Sequence, residues 1–410
     1  MSAIASHIDH ALARTVRLTG RVEARWSRAA VSGAVSRAAH FVARGAAYVW
    51  RNRRYLTLIK LLNMAAVEVQ FRLKTERVIG RPYKMKVEST NICNTKCQLC
   101  PTGLGYEGRP KGKMTFDTFT GLIDRLRWHL YALDLSMWGD PLIVPDIYRM
   151  IRHAHDRGIW TYISSNLHAF KLDAARGQAE ALVKSGLDLL TCSLHGASQE
   201  TFAIYQPGKS FGDAVEKVRH IIATRDRLGS ATPAVQLNFV VTRENEHERA
   251  AFAALAAELG CKAVFSAPSL NLRFVGQDAK LQSLGLATDV LAKKQREQVE
   301  RWLPRNEVYA LQPYRALLAG DPPRGEDYNG HKTFDCSWPW RMSVINWDGQ
   351  VCTCCGNFDP KEDMGNVLTR PFGEIWNGRK YRMARRSFTK RVSDADAKDN
   401  ACASCPGYML

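Results

Sequence analysis

From Lys84 onward, short apolar runs alternate with longer stretches whose apolar residues return every three or four positions. An apolar run of four to eight residues between turn residues reads as a strand. The three-to-four spacing reads as a helix with one buried face. Strands are expected at 84–89, 132–137, 160–164, 187–194, 235–241 and 263–266, and helices at 116–129, 145–157, 174–185, 211–228 and 246–259. Gly158, Gly186 and Gly260 each stand between a helix and the next strand, where a left-handed cap is wanted. Repeated strand–helix units make a parallel sheet. Six such units suit a partial barrel, and no GxGxxG follows the first strand to indicate a dinucleotide-binding open sheet. The expected fold is α/β, a partial (β/α)6 TIM-like barrel over residues 84–270.

Three flanking regions read differently. Residues 1–83 form an N-terminal helical extension: Val31, Val35, Ala39, Val42, Ala46 and Val49 line one helical face, with Arg37, Arg44 and Arg51 on another. Residues 271–335 form a helical bridge with helices at 288–302 and 308–319, broken by the Pro- and Gly-rich stretch at 321–325. Residues 336–410 hold six of the eleven cysteines among many turn residues, the pattern of a small C-terminal domain that leans on metal rather than on a hydrophobic core.

Composition narrows the classes. Of 410 residues, 45% are hydrophobic and 24% charged, which excludes long disorder. The cysteines are too sparse for a disulfide scaffold, and their clustering points to metal binding in a reducing, cytoplasmic compartment. The net charge is +18, of which +12 falls in residues 1–84, with 16 Lys and Arg against 4 Asp and Glu. The longest apolar run there, 56–67, is interrupted by Lys60 and Asn63, too short to span a bilayer. With Trp26, Tyr48, Trp50 and Tyr55 interleaved, the extension reads either as a helical cap or as an amphipathic segment resting peripherally on an anionic membrane. No RNA-binding motif accompanies the charge, so nucleic acid is not an expected partner.

Cys93, Cys97 and Cys100 form a CxxxCxxC run directly after the first strand. Three thiolates on one loop hold three irons of a [4Fe–4S] cube and leave the fourth iron open to a ligand; a structural zinc site would need a fourth ligand nearby. This loop, at the C-terminal end of a βα-barrel strand, resembles the radical S-adenosylmethionine (radical SAM) superfamily over residues 84–270. The resemblance implies that Cys93, Cys97 and Cys100 bind a [4Fe–4S] cluster and that S-adenosylmethionine ligates the open iron. Reductive cleavage of the sulfonium then yields a 5′-deoxyadenosyl radical that abstracts hydrogen from a substrate. Trp138-Gly139-Asp140-Pro141 is similar to the family's GGEP stretch, whose edge and acidic group meet the methionine amino group. Ser165 and Asn166, ending the third strand, are similar to its ribose-contacting residues, and His195 stands in its S-x-D-G stretch where an acid is usual. Tyr205-Gln206 replaces a Tyr-Arg pair, and Leu99 an aromatic residue.

Cys336, Cys352, Cys354, Cys355, Cys402 and Cys405 form a second group. The C-x12-G-x4-C spacing through Gly349 and the terminal CxxC resemble the SPASM domain and its shorter relative, the twitch domain. The resemblance implies one auxiliary [4Fe–4S] cluster on Cys336, Cys354, Cys402 and Cys405, with Cys352 or Cys355 as substitutes for Cys354. A zinc ribbon with four cysteine ligands is the competing reading. Trp338, Trp340, Trp347 and Trp376 read as the core of this domain.

A second, fully ligated cluster suits electron transfer, so net oxidation or bond formation on a sugar-, lipid- or natural-product-type substrate is the leading expectation. Peptide maturation and epimerisation are the alternatives. Epimerisation requires a thiol hydrogen donor, for which Cys192 and Cys261 are the free candidates, although both read as packed strand residues. The expected partners are a small-molecule, lipid-linked or peptide substrate and a reductant such as flavodoxin or ferredoxin. A non-catalytic iron–sulfur or zinc protein is the reading from another class, and the open-site loop argues against it.

Overall fold

The structure, a computed structural model, describes residues 52–105, 108–172, 177–272, 288–320, 332, 335–389 and 400–405. The chain divides into two compact units, 1–58 and 59–410. The helical periodicity at 31–49 lies outside the described residues.

Among the described residues, the larger unit is built on one sheet of nine strands. Strands β1 (Lys84–Val87), β2 (Ala132–Asp134), β3 (Trp160–Ser165), β4 (Leu189–Ser193), β5 (Ala234–Val240) and β6 (Lys262–Ser266) run parallel. The helices among them are α1 (Leu58–Arg72), before β1, then α2 (Phe116–Leu126), α3 (Ile147–Asp156), α4 (Gln178–Lys184), α5 (Gln199–Tyr205), α6 (Phe211–Arg227) and α7 (Arg249–Glu258). The six expected strands are all present and form the partial barrel. Helix α5 has no counterpart in the expected elements; Ser198 caps it by accepting from the Thr201 amide. Beyond the barrel, α8 (Thr288–Trp302) and α9 (Gln312–Leu318) occupy the bridge.

The strands alternate in character as well as burial. Val235, Leu237 and Phe239 are buried on the helix side, where Phe239 meets Phe252 of α7 at 4.7 Å. The intervening Gln236 and Asn238 are half-buried on the opposite face. Tyr162, Ser164, Thr191 and Ser193 share that face. Ser164 Oγ and Ser193 Oγ lie 3.1 Å apart, and Gln236 Nε2 donates to Thr191 Oγ1 at 2.9 Å. A purely structural barrel fills its interior with branched apolar side chains. This one is lined with hydroxyls and amides.

The sheet does not stop at β1. Strand β7 (Met342–Ile345) pairs parallel with β1, Lys86 opposite Val344, and leads into the antiparallel β8 (Gln350–Cys352) and β9 (Gly365–Asn366). Gly349, in the β7–β8 turn, has φ of 83°, and a Cβ there would meet the Leu368 and Asn366 side chains. Trp338, Trp340 and Trp376 are buried, with Arg385 lying over Trp376 at 4.4 Å, whereas Trp347 is half-buried against Gly112.

Candidate active site

Past β1 the chain remains buried through Glu88, Ser89 and Thr90. Ser89 Oγ donates to the Leu135 carbonyl at 2.9 Å and Thr90 Oγ1 to that of Gly112 at 2.7 Å. These ties anchor the chain just before the loop that carries Cys93, Cys97 and Cys100. Inside the loop, the Cys100 amide donates to the Cys97 carbonyl, and Thr95 Oγ1 lies 3.1 Å from Cys93 Sγ and 3.5 Å from Cys97 Sγ. Gly103 packs so closely that a Cβ would sit 2.4 Å from the Cys97 carbonyl oxygen. Burial pushes the Cys97 thiol up to about 12, and burial also raises Cys100. Such thiols lose their protons when a metal takes them, so the donor set suits a cluster rather than a free nucleophile.

Neighbouring strand ends brace this loop. Asn166, after β3, directs Nδ2 to Asn94 Oδ1 at 3.1 Å and to Cys93 Sγ at 3.5 Å, while its Oδ1 accepts from the His168 amide. Leu99 is buried with Tyr205, Leu270, Trp302 and Tyr314, so α5 and the bridge helices close over the loop from behind. Gly139 presses on the chain just before Cys93: a Cβ would lie 2.4 Å from the Thr90 carbonyl oxygen and 2.6 Å from that of Ile92.

Three of the expected cofactor contacts, Asp140, Ser165 and His195, also have partners inside the protein. The acidic group of Asp140 is turned into the protein. It is buried, and its carboxylate accepts from the Leu142 amide at 2.9 Å, the Asn166 amide at 2.8 Å and the Ser165 hydroxyl at 2.8 Å. Asp140 therefore locks the loop after β2 to the end of β3, and Ser165 is consumed in the same lock. His195 has φ of 60°, packs on Tyr205 at 4.5 Å and accepts the Val240 amide on Nδ1 at 3.1 Å. Burial drops its pKa to about 3, so it is a neutral ring joining β4 to β5. Gln206, in place of the family arginine, is fully buried and donates to the Ser193 carbonyl at 2.8 Å.

The second cysteine group separates into three environments. Cys354 lies within electrostatic reach of Cys355, its adjacent residue, and of Cys402, Cys405 and Cys336, and burial raises Cys354 and Cys402 well up and Cys336 to about 12. Among the described residues, no three such side chains close on a point as the ligands of a single ion do. Four thiols are the donor set that either a [4Fe–4S] cluster or a structural zinc ion takes. Cys352 is fully buried and already engaged: Asn346 Nδ2 lies 3.3 Å and Asp363 Oδ1 3.2 Å from its sulfur. Cys355 has neighbours of its own, Lys86 and Asp134, and lies within reach of Tyr162. Lys86 and Asp134 form a buried ion pair, and Lys86, Asp134 and Tyr162 occupy adjacent register positions across β1, β2 and β3.

Two further residues escaped the sequence reading. Glu88 accepts the Trp138 amide on Oε1 and the Trp347 amide on Oε2, each at 3.4 Å, and burial lifts its pKa to about 7. Arg109 reaches both Asp363 oxygens and the Phe358 carbonyl. The polar run after β1 signals Glu88 weakly. Nothing near Arg109 in the sequence points to a partner more than 250 residues away.

Comparison with known families bears on these two cysteine groups. The model of the radical SAM superfamily matches residues 87–256, and that of the SPASM iron–sulfur cluster-binding domain matches 336–406. The chain is a radical SAM enzyme with a C-terminal SPASM domain. Those domains imply iron–sulfur clusters and S-adenosylmethionine as cofactors. Among relatives, the tungsten-containing aldehyde ferredoxin oxidoreductase cofactor-modifying protein of Pyrococcus furiosus is 22% identical over 315 residues, 72% of this radical SAM enzyme and 81% of the relative. The AdoMet-dependent heme synthase of Nitratidesulfovibrio vulgaris is 24% identical over 308 residues, covering 70% and 77%. The crystal structure of Streptococcus suis SuiB bound to precursor peptide SuiA shares the fold with a TM-score of 0.53 at 13% identity, covering 85% of this chain and 75% of that one. Among the described residues, no helix is long and apolar enough to cross a membrane.

Proposed function

We propose that this radical SAM enzyme oxidises, or forms a new carbon bond on, a hydroxyl-bearing substrate of sugar, lipid or natural-product type, using two [4Fe–4S] clusters. With a [4Fe–4S] cluster in place, S-adenosylmethionine would supply radical chemistry that abstracts a hydrogen atom from a substrate carbon. Cys93, Cys97 and Cys100 would hold that cluster, with Asn166 and Thr95 donating toward its sulfurs. The half-buried edge formed by Trp138 and Gly139 would orient the cofactor, since the Asp140 carboxylate is spent inside the protein. Cys336, Cys354, Cys402 and Cys405 would hold the second.

The observation that carries the reading is the polar lining of the barrel. Ser164, Ser193, Thr191, Gln236 and Asn238 present hydroxyls and amides where a filled barrel would present Val or Leu. Such a surface recognises hydroxyl groups. The decisive experiment reconstitutes the protein anaerobically, counts iron and follows 5′-deoxyadenosine release with polyols, glycosides and peptides. Release above the substrate-free rate with hydroxylated compounds supports the proposal. Stimulation by peptides alone overturns it in favour of a peptide-modifying enzyme; the SuiB fold neighbour was itself solved with a precursor peptide bound.

Cys355 favours a second reading, epimerisation. Cys192 is fully buried on the helix side of β4, whereas Cys355 lies with Lys86, Asp134 and Tyr162 toward the lining face. A thiol there could return hydrogen to the opposite face of a substrate radical. The remaining thiyl would regain one electron, from a flavodoxin- or ferredoxin-type reductant, and one proton. Turnover in heavy water separates the readings: epimerisation places one solvent deuterium in the product, and oxidation places none.

A further inference from the structure

Helix α1 carries its apolar residues on the wrong side for a helix that only caps a barrel. Its inner face is anchored by specific bonds. Lys60 Nζ donates to the Gly158 carbonyl at 2.6 Å, Asn63 exchanges two hydrogen bonds with the Arg81 backbone, and Gln70 accepts the Gly80 amide at 3.0 Å. Val67 is buried and Phe71 meets Trp340 edge-on at 5.6 Å. These ties fix which side of the helix faces out. That side presents Ile59, Leu62, Ala66, Val69 and Leu73, with Leu62 63% and Leu73 70% exposed. Ile79, on the returning turn, is 86% exposed. Water-facing helix surfaces normally carry charge, and a contiguous apolar stripe marks a surface that something covers.

The charges nearby indicate what covers it. Glu68 and Glu76, the acids of this stretch, are tied into ion pairs with Arg341 and Arg386. Arg72 and Arg77 remain exposed at the same end of the helix. With its acids held in ion pairs, the stripe offers a second copy of itself no complementary charge. An anionic surface with an apolar interior satisfies both the leucines and the arginines.

We propose that the outer face of α1 is a docking surface for an anionic lipid bilayer, with Leu62, Val69 and Leu73 entering the headgroup–acyl boundary and Arg72 and Arg77 meeting lipid phosphates. This surface is independent of the chemistry at the barrel. It would set the enzyme down on the membrane rather than thread it through.

Flotation of the full-length, cluster-loaded protein with vesicles of phosphatidylcholine containing one quarter phosphatidylglycerol tests it, with pure phosphatidylcholine vesicles alongside. The wild type should float with the anionic vesicles, and the bound fraction should fall steeply as salt rises. Leu62→Glu combined with Val69→Glu should weaken binding by roughly tenfold or more while leaving iron content and the circular dichroism spectrum unchanged, because both side chains already face water. Arg72→Glu with Arg77→Glu should abolish the preference for anionic lipid. Equal flotation by the Leu62/Val69 variant overturns the proposal, as does failure of the wild type to float. A dimer that sedimentation detects in the wild type and loses in the same variant, with no vesicle binding by either, assigns the stripe to a second copy instead.

Discussion

Arg109 and Asp363 form a buried two-pronged ion pair between the segment that follows the first cysteine loop and the domain that carries the second. Both side chains are more than nine-tenths buried, and the remaining guanidinium nitrogen donates to the Phe358 carbonyl at 2.7 Å. Removing one partner strands a buried charge, which costs about 3–5 kcal/mol. Arg109→Ala should lower the denaturant midpoint accordingly, and Asp363→Asn by less, since an amide keeps one bond. Chemical denaturation under anaerobic conditions measures both.

Asn166 makes a separable contribution. Its amide is a side-chain donor from the end of β3 toward Cys93. Asn166→Ala should leave both clusters assembled, with iron content near that of the wild type. It should shift the reduction potential of the first cluster downward, since a hydrogen bond to a cluster sulfur favours the reduced form. Redox titration followed by EPR reads the shift, and an unchanged potential would assign Asn166 only to bracing Asn94.

Glu88 sets a pH dependence of definite sign. Its pKa rises from the ordinary 4.5 to about 7 on folding, so between these values the native state holds more proton than the unfolded chain. Stability contributed by this group is complete below about pH 4.5 and is lost as pH climbs to 7, on the order of 3 kcal/mol in all. Glu88→Gln keeps the neutral shape and removes the titration. The difference in unfolding free energy between variant and wild type should grow in the variant's favour from pH 5 to pH 7.5 and then level off. A flat difference would mean that Glu88 stays ionised in the fold.

The surroundings of the C-terminal cysteines predict two outcomes for iron. Wild-type protein should hold about eight irons per chain, and Cys354→Ser or Cys402→Ser about four. Cys352→Ser and Cys355→Ser should keep about eight, because Cys352 is held by Asn346 and Asp363, and Cys355, although it adjoins Cys354, also faces Lys86 and Asp134. Retention of the second cluster in Cys354→Ser, with loss in Cys355→Ser, would reverse the assignment.

The parallel barrel is legible in the sequence because buried strands are short apolar runs and helices end at glycines such as Gly158 or Gly260, so local sequence carries that information. The cysteine loops are legible because their spacing is short-range. Asp140 and His195 fall in the expected loops but have different surroundings from those expected. Whether a carboxylate points outward depends on Ser165 and Asn166, which lie on another strand. Helix α5 is a short element whose one clear local signal is the Ser198 cap, and Arg109 finds its partner only through tertiary structure. The polar lining is visible as alternation in Thr191-Cys192-Ser193 and Gln236-Leu237-Asn238, but alternation alone does not say which face is hollow.

The parallel pairing of β1 with β7 has a consequence for how the chain matures. Lys84 lies opposite Met342, a partner about 260 residues downstream. As the polypeptide leaves the ribosome, β1 to β6 can assemble while one side of β1 still offers unpaired amides and carbonyls, and such an open edge recruits other chains. Contacts so distant in sequence also form slowly. The nascent enzyme therefore passes through a vulnerable interval that ends only when its last quarter has been made, and truncations upstream of β7 should aggregate rather than yield an isolated barrel.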